Sequence, residues 1–282
     1  MSVSSLTLQT NVASLGAQRN LGRTEKGLST AMSRLSSGLR INTAADDAAG
    51  LAISEKLKAS IRGLGQAQRN ANDGISMLQT AEGAMNEVSD MLVRMRELGV
   101  QSANGTLGTN ERLSLHDEFT ELRSEIDRIA NVTEFAGLKL LDGAQSAGVS
   151  FQVGAGTSAT VDKITVTIAA AHASKLSTHL STASISTAAH AISAMGFVDS
   201  AITTLSRRRG TLGAKQNRLY TTINNLASST ENLSAANSRI RDADVAAESA
   251  NMSRAQILMQ AGVAVLAQAN QLPSMALSLI GR

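Results

Sequence analysis

A repeat of apolar side chains at every seventh position runs through the C-terminal third of the chain and constrains its fold more than any other feature. It consists of Val198, Leu205, Leu212, Leu219, Leu226, Leu233 and Ile240. Apolar side chains that repeat with a period of about 3.5 residues over many turns are typical of a coiled coil. The interleaved positions are mixed, and polar residues among them fix helix register at some cost in stability: Ile202, Arg209, Gln216, Ile223, Thr230 and Asn237.

Similar helical seams lie at both ends of the chain. In the C-terminal segment the apolar positions alternate three and four apart: Ala255, Leu258, Gly262, Val265, Ala269, Leu272, Ala276 and Leu279. Near the N-terminus Leu21, Leu28 and Leu35 are seven apart, with Thr24 and Ala31 between them. Another run follows: Ala71, Ile75, Leu78, Ala81, Met85, Val88, Leu92 and Met95. A third helix is predicted from Asn110, as N-cap, to about Asn131.

The composition favours long helices over a compact globular core. Proline occurs once, at Pro273, and aromatic residues make up 2% of the chain. Since proline interrupts helices and aromatic side chains supply much of the buried area of compact domains, this chain is suited to long helices packed through aliphatic residues. Isolated helices of this kind are unstable, so the seams need partners, either within the chain or in other copies of it.

The middle of the chain has a different texture, rich in Ser, Thr, Ala and Gly. Ile164, Val166 and Ile168 alternate with threonines, and Phe151 and Val153 precede a glycine-rich turn. Alternation of this kind predicts a small β-hairpin; the rest of the segment, to about residue 191, is interpreted as a solvent-facing insert. The fold class we predict is mainly α: a long antiparallel helical hairpin or coiled-coil bundle, with a small β-hairpin region at the middle of the chain.

The sequence contains no constellation of residues that predicts catalysis or cofactor binding. Cysteine is absent, and the four histidines form no HExxH pattern, so neither a metal site nor a cofactor is expected. Asp46 and Asp47 are interpreted as capping the start of a helix. The net charge of +3 is spread out, which disfavours nucleic acid as a partner. No continuous apolar run predicts a membrane span or a secretory leader.

Several long motifs resemble the terminal signatures of bacterial flagellins. In the N-terminal half these are NVASLGAQRNL, LSSGLRINTAADDAAGLAI, NDGISMLQTAEGAM and MRELGVQSANGT. In the C-terminal half LGAKQNRL, ENLSAANSRIRDAD and QAGVAVLAQANQLP follow in the family's order. The resemblance covers residues 1–145 and 192–282. Two departures are Phe135-Ala136-Gly137, where the family usually has Phe-Asn-Gly, and the variant end MALSLIGR.

The resemblance implies a subunit that is exported unfolded through the flagellar type III apparatus and self-assembles into the extracellular flagellar filament for swimming motility. It implies an inner terminal coiled-coil domain of residues 1–40 with 243–282, and an outer helical domain of residues 41–145 with 192–242. Residues 146–191 would form a short variable insert with the β-hairpin. Packing of the inner core and between subunits would involve Leu21, Leu28, Leu35, Leu258, Val265, Leu272 and Leu279.

The partners implied by the resemblance include further copies of the chain, an export chaperone at the C-terminal helix, and the hook-associated and cap proteins. Host recognition is a further expectation. In many flagellins an Arg, a Leu one helical turn later and a Glu on the adjacent helix contact Toll-like receptor 5, and these align with Arg94, Leu98 and Glu118.

Three other interpretations compete with a filament subunit. A hook-filament junction protein shares parts of the terminal signatures and would join filaments rather than form them. An enzyme-bearing flagellin carries a metallopeptidase in the insert, but this insert is short and lacks HExxH. A generic coiled-coil adaptor is permitted by the heptads alone and would form a discrete oligomer.

Overall fold

Long helices dominate the computed structural model, which describes residues 10–158 and 160–280, with side chains described as far as residue 271. The longest are α2 (Ala48–Ala103) and α5 (Ala188–Arg241). The other long helices are α1 (Val12–Ser37), α3 (Thr109–Val132) and α6 (Val245–Ile280). No helix in this described part is both long and apolar enough to cross a membrane.

The chain divides into two compact units. One comprises Ser60–Glu231, and the other comprises the chain before and after it. Both boundaries fall inside long helices, α2 and α5. These units are not the inner and outer domains predicted from the resemblance, because those domains are defined by their positions in an assembled filament. The boundaries of the inner and outer domains stay a prediction.

The core of the Ser60–Glu231 unit is built from the predicted seams. Every member of the α2 run from Ala71 to Met95 is at most 5% exposed, and the α5 repeat is buried from Val198 to Leu226. Helix α3 adds Phe119 and Ile126, both fully buried. Apolar faces at the helical period therefore meet in one continuous core, which confirms the predicted helices. The predicted N-cap is wrong, because α3 begins at Thr109 and Gly108 occupies the cap position.

Two small antiparallel hairpins follow α3. Strands β1 (Glu134–Phe135) and β2 (Leu138–Lys139) form the first, and β3 (Val149–Gln152) and β4 (Lys163–Val166) form the second. In the second hairpin Phe151 pairs with Ile164 and Val149 with Val166. The mainly α fold with a small β-hairpin region is thus confirmed.

The segment after β4 is not the solvent-facing insert expected from its composition. Ile168, Ala171, Leu180 and Ile185 are fully buried, although the segment contains only a one-turn helix, α4 (Ala173–Leu176), and a 3-10 turn. Hydrogen bonds from distant residues hold this irregular backbone. The Ser102 hydroxyl donates to the carbonyl of Ile185 at 2.5 Å, Asp127 accepts from the Ala173 N–H at 2.8 Å, and Arg208 donates to the Lys175 carbonyl at 2.7 Å.

Gly148, immediately before β3, adopts a backbone conformation that a side chain would strain. Its φ is +97°, and an added Cβ would lie 2.5 Å from Cγ2 of Thr165. We expect Gly148→Ala to lower the free energy of unfolding by about 1 kcal/mol or more, measured by urea denaturation.

Gly83, in the exposed interior of α2, provides the matched control for this substitution. An added Cβ there meets nothing within 4 Å, and alanine favours a helix over glycine. Gly83→Ala should therefore raise the free energy of unfolding by about 0.5–1 kcal/mol. Equal effects at the two glycines would contradict the strained conformation at Gly148.

The two adjacent carboxylates before α2 have different roles, and only Asp47 caps the helix as predicted for both. Asp47 Oδ1 accepts the Gly50 N–H at 2.8 Å, which confirms the predicted capping role. Asp46 Oδ2 instead closes the preceding turn, accepting from the Thr43 N–H at 2.9 Å, the Thr43 hydroxyl at 3.0 Å and the Asn42 N–H at 3.2 Å. These hydrogen bonds, those from Thr43 first, lower the pKa of Asp46 below its ordinary 3.8.

The lowered pKa of Asp46 predicts an acid-sensitive turn. Its stabilising contribution is present above the ordinary carboxyl pKa and is lost as the pH falls through the lower value of the folded state. A carboxyl titration by NMR should give a midpoint for Asp46 below 3.8, and Thr43→Ala should move that midpoint upward. A midpoint at or above 3.8 in the unsubstituted protein would contradict this assignment.

Candidate functional site

Helices α1 and α6 form an antiparallel pair with interlocking seams. On α1 seven of the buried or half-buried positions lie alternately three and four apart: Ser14, Ala17, Leu21, Thr24, Leu28, Ala31 and Leu35. On α6 the corresponding positions are Met252, Ala255, Met259, Gly262, Leu266 and Ala269. A Cβ added at Gly262 would lie 3.2 Å from Leu21 Cδ1, so the leucine occupies the space that the glycine leaves. This is the heptad spacing of a coiled coil.

Polar contacts fix the register of this pair at both ends. The side chain of Asn11 donates to the Ala269 carbonyl at 2.8 Å, and the Ser14 hydroxyl donates to Asn270 Oδ1 at 2.8 Å. At the other end Arg34 lies 3.7 Å from Glu248. Opposite ends of the two helices are therefore tied, which holds the seams in one alignment. The sequence seams alone did not reveal these contacts.

Helix α6 carries a second apolar surface that α1 does not cover. Leu258 is 53% exposed and Val265 is 56% exposed, and Ile257 beside them is 66% exposed. We call Leu258 and Val265 the open stripe. It lies beside the seam because each member precedes a seam residue, Met259 or Leu266, by one position. An exposed apolar row of this kind is a candidate surface for a partner.

The single C-terminal seam predicted from the sequence is therefore divided between two surfaces. Ala255, Gly262 and Ala269 face α1, whereas Leu258 and Val265 do not. The side chains of Leu272 and Leu279 lie outside the described residues. On α1, Leu21, Leu28 and Leu35 are half-buried within the same chain. Whether any of these residues packs against another subunit stays a prediction.

The residues aligned with a receptor contact fall into two environments. Arg94 and Glu118 are 48% and 43% exposed, and Arg94 Nε donates to Glu118 Oε1 at 2.8 Å. Hydrogen bonds to Glu118 and then Glu97 raise the pKa of Arg94. Leu98 is fully buried in the core with Met95 and Leu92. Its side chain is not available on this surface, because its position on α2 turns it toward the bundle.

The described residues contain no cluster of three or more His, Asp or Glu side chains able to hold a metal ion. Their largest organised feature outside the core is instead the α1–α6 pair with its open stripe. A filled helical seam with an exposed apolar row beside it is typical of a structural protein that associates through helices.

Comparison with known proteins identifies the family. Residues 8–146 match the bacterial flagellin N-terminal helical region, and residues 195–280 match the bacterial flagellin C-terminal helical region. The chain belongs to the bacterial flagellin family. It is a subunit of the flagellar filament, an extracellular structure that drives motility, and the family is one of structural proteins.

Individual relatives agree with this family assignment. The chain is 46% identical over 270 residues to a flagellin of Halalkalibacterium halodurans. The alignment covers 96% of this chain and 98% of that protein. It is 55% identical over 150 residues to flagellin E of Vibrio cholerae, covering 53% of this chain but only 39% of that protein.

A solved structure shares the fold. It is that of a protein from Vibrio parahaemolyticus described as flagellar hook-associated, which superposes with a TM-score of 0.58. The superposition covers 70% of this chain and 100% of that chain, at 15% sequence identity. At this identity the likeness concerns the fold alone.

Proposed function

We propose that the chain polymerises by covering the open stripe of α6 with other copies of itself. One observation carries this proposal: Leu258 and Val265 remain more than half exposed on a helix whose adjacent seam is already filled by α1. Because nearly half of each side chain is already buried, covering the rest is worth about 1 kcal/mol for each side chain in every subunit. In this proposal the stripe of one copy packs against a different surface of the next copy, and such a head-to-tail contact extends into a helical filament when it does not close into a ring.

The layer assignment follows from the same proposal. Residues 1–40 with 243–282 form the inner layer, in which Leu21, Leu28 and Leu35 hold α1 on α6 while Leu258, Val265, Leu272 and Leu279 meet neighbouring subunits. Residues 41–145 with 192–242 form the outer helical layer, and residues 146–191 form the insert. The apolar seams support this division, because both ends of the chain meet in the α1–α6 pair.

The same stripe suits the partners that handle the subunit before and during assembly. An export chaperone that binds the C-terminal helix would cover Leu258 and Val265 and prevent premature association. The subunit then passes unfolded through the type III apparatus and adds to a growing end, where it meets cap and hook-associated proteins. An exposed apolar row on α6 supports a shared binding surface for these partners, used one at a time.

Electron microscopy of the purified full-length protein tests polymerisation directly. A precipitating salt is added to concentrated subunit, with sheared filament as seed, and the products are examined after negative staining. Long uniform filaments are expected. Rings, discrete oligomers or persistent monomers under these conditions would contradict open-ended growth and favour the junction-protein or adaptor interpretation.

Recognition by Toll-like receptor 5 is a second proposed function, supported by the exposed Arg94–Glu118 ion pair on neighbouring helices. The guanidinium and carboxylate present a fixed polar surface, while Leu98 supports it from the core. Glu118→Ala and Arg94→Ala should each lower signalling by purified monomer in a receptor reporter cell line. Arg128→Ala, which breaks the exposed Arg128–Glu125 pair on the same α3, is the control and should leave signalling unchanged. Equal responses from all three variants would exclude the contact.

A further inference from the structure

The turn between α2 and α3 contains an asparagine followed by glycine, and this is the one such pair in the sequence. Asn104 and Gly105 are both exposed and lie outside any helix. A side-chain amide followed by an unhindered backbone nitrogen is a reactive arrangement, because glycine has no Cβ to obstruct approach to that nitrogen. Neither the open stripe nor the Arg94–Glu118 pair includes this turn.

We propose that Asn104–Gly105 is a site of spontaneous deamidation, at which water converts the asparagine to aspartate and isoaspartate. The proposal goes beyond filament assembly and does not depend on it. Two observations support it: Asn104 and Gly105 are exposed, and the Thr106 backbone N–H points at the side-chain oxygen of Asn104.

Hydrogen bonds hold Asn104 in a defined conformation. Its side-chain oxygen Oδ1 accepts from the Thr106 backbone N–H at 3.3 Å. Its carbonyl oxygen accepts from Arg112 Nη2 at 2.8 Å and from the Leu107 N–H at 3.3 Å. The side chain is therefore folded back over the backbone of the two following residues, where the Gly105 nitrogen lies.

The reaction has two stages, closure of a succinimide ring and its hydrolysis. The Gly105 nitrogen loses its proton to solvent base and bonds to Cγ of Asn104, whose oxygen then carries a negative charge that the Thr106 N–H stabilises. Nδ2 then takes up a proton from solvent, the carbonyl at Cγ re-forms, and the Cγ–Nδ2 bond breaks. The nitrogen leaves as ammonia, and the product is a five-membered succinimide. Water then adds to either of the two ring carbonyls. When water breaks the bond between the Gly105 nitrogen and Cγ, the normal backbone is regenerated with aspartate. When water breaks the bond between that nitrogen and the main-chain carbonyl carbon, the product is isoaspartate.

The products change the turn in two ways. Each adds one negative charge, lowering the formal net charge of +3 by one. Isoaspartate also inserts an extra carbon into the main chain where Arg112 and Leu107 hold the Asn104 carbonyl, so these hydrogen bonds cannot both keep their geometry. The aspartate product keeps the backbone and lies before the N-terminus of α3, where a negative charge is favourable.

Peptide mapping of the aged full-length protein tests this reaction with an internal control. Trypsin releases residues 97–112 as one peptide, which contains Asn104 and also Asn110, a residue inside α3 followed by Glu111. After incubation at mildly alkaline pH we expect a mass increase of about 1 Da, from exchange of NH2 for OH, at Asn104 and not at Asn110. Both aspartate and isoaspartate peptides should be present.

A synthetic peptide of the same residues sets the reference rate, and Gly105→Ala provides the variant. An added Cβ at position 105 meets nothing within 4 Å, so the fold tolerates the alanine while its side chain obstructs the attack. The native protein should convert at least as fast as the peptide, and Gly105→Ala should lose most of the conversion. An intact Asn104 in the native protein while the peptide converts would overturn the proposal. Aspartate without isoaspartate, or an unchanged rate in Gly105→Ala, would also overturn it.

Discussion

Replacing Leu258 and Val265 together by glutamate abolishes filament growth and leaves the Ser60–Glu231 unit of the free subunit folded; this is the largest effect we expect. Both side chains are more than half exposed on α6, so the change costs the free subunit little. In the filament two carboxylates would be buried without partners, which costs several kcal/mol for each charge. Sedimentation and electron microscopy after seeding measure the loss.

A control double variant, Gln256→Glu with Gln260→Glu, adds the same charge to exposed positions on the face of α6 opposite the open stripe. It should still polymerise. Filament growth by the Leu258 and Val265 variant at the rate of the unsubstituted protein would show that the open stripe is not an assembly surface. Failure of both variants would assign the effect to charge and not to the stripe.

Leu98→Ala should lower the free energy of unfolding by about 2–5 kcal/mol, the second large effect we expect. Leu98 has none of its surface exposed and packs in the core of α2, α3 and α5. Truncation leaves a cavity that the surrounding helices fill only in part. Urea denaturation followed by circular dichroism measures the change.

Val100→Ala is the matched control on the same helix. Val100 is 51% exposed, so its truncation should change the free energy of unfolding by no more than about 0.5 kcal/mol. Equal losses at the two positions would contradict the burial of Leu98. If the predicted loss is found, weaker receptor signalling by a Leu98 variant reports a destabilised scaffold, whereas weaker signalling by Glu118→Ala reports the exposed surface.

Most of the helical framework could be predicted from the sequence because its physical cause is periodic. The α5 repeat from Val198 to Leu226 is buried as its spacing requires, and the α2 run is buried throughout. The hairpin of β3 and β4 also follows from alternation, with Ile164 and Val166 buried on one side of β4. In each case one face of a helix or strand is buried, and the spacing of the apolar residues in the sequence identifies that face.

The segment from residue 168 to residue 185 could not be predicted in this way. It has no period because its buried side chains come from irregular turns and not from one face of a helix. What holds it is contributed from elsewhere in the chain, including the Ser102 hydroxyl bound to Ile185 and Arg208 bound to Lys175. The local sequence contains neither partner, so its Ser- and Thr-rich composition indicates a solvated loop.

The sequence predicts that α6 has an apolar face, but it does not predict which residues of that face remain exposed. Spacing alone groups Leu258 and Val265 with Ala255, Gly262 and Ala269, since all lie within one broad apolar face. Which part faces α1 depends on the side chains of the partner helix, such as Leu21 filling the space at Gly262. The same spacing arises whether a seam is filled by the same chain or by another copy.

Thiol labelling of a single cysteine on the open stripe tests the central claim most directly. The chain has no cysteine, so Val265→Cys introduces one reactive group, and Ser158→Cys in the exposed loop between β3 and β4 provides a reference. A maleimide should label both variants rapidly as monomers. In assembled filaments residue 265 should be protected by neighbouring subunits while residue 158 stays reactive. Equal labelling of residue 265 in monomer and filament would contradict the proposed assembly surface.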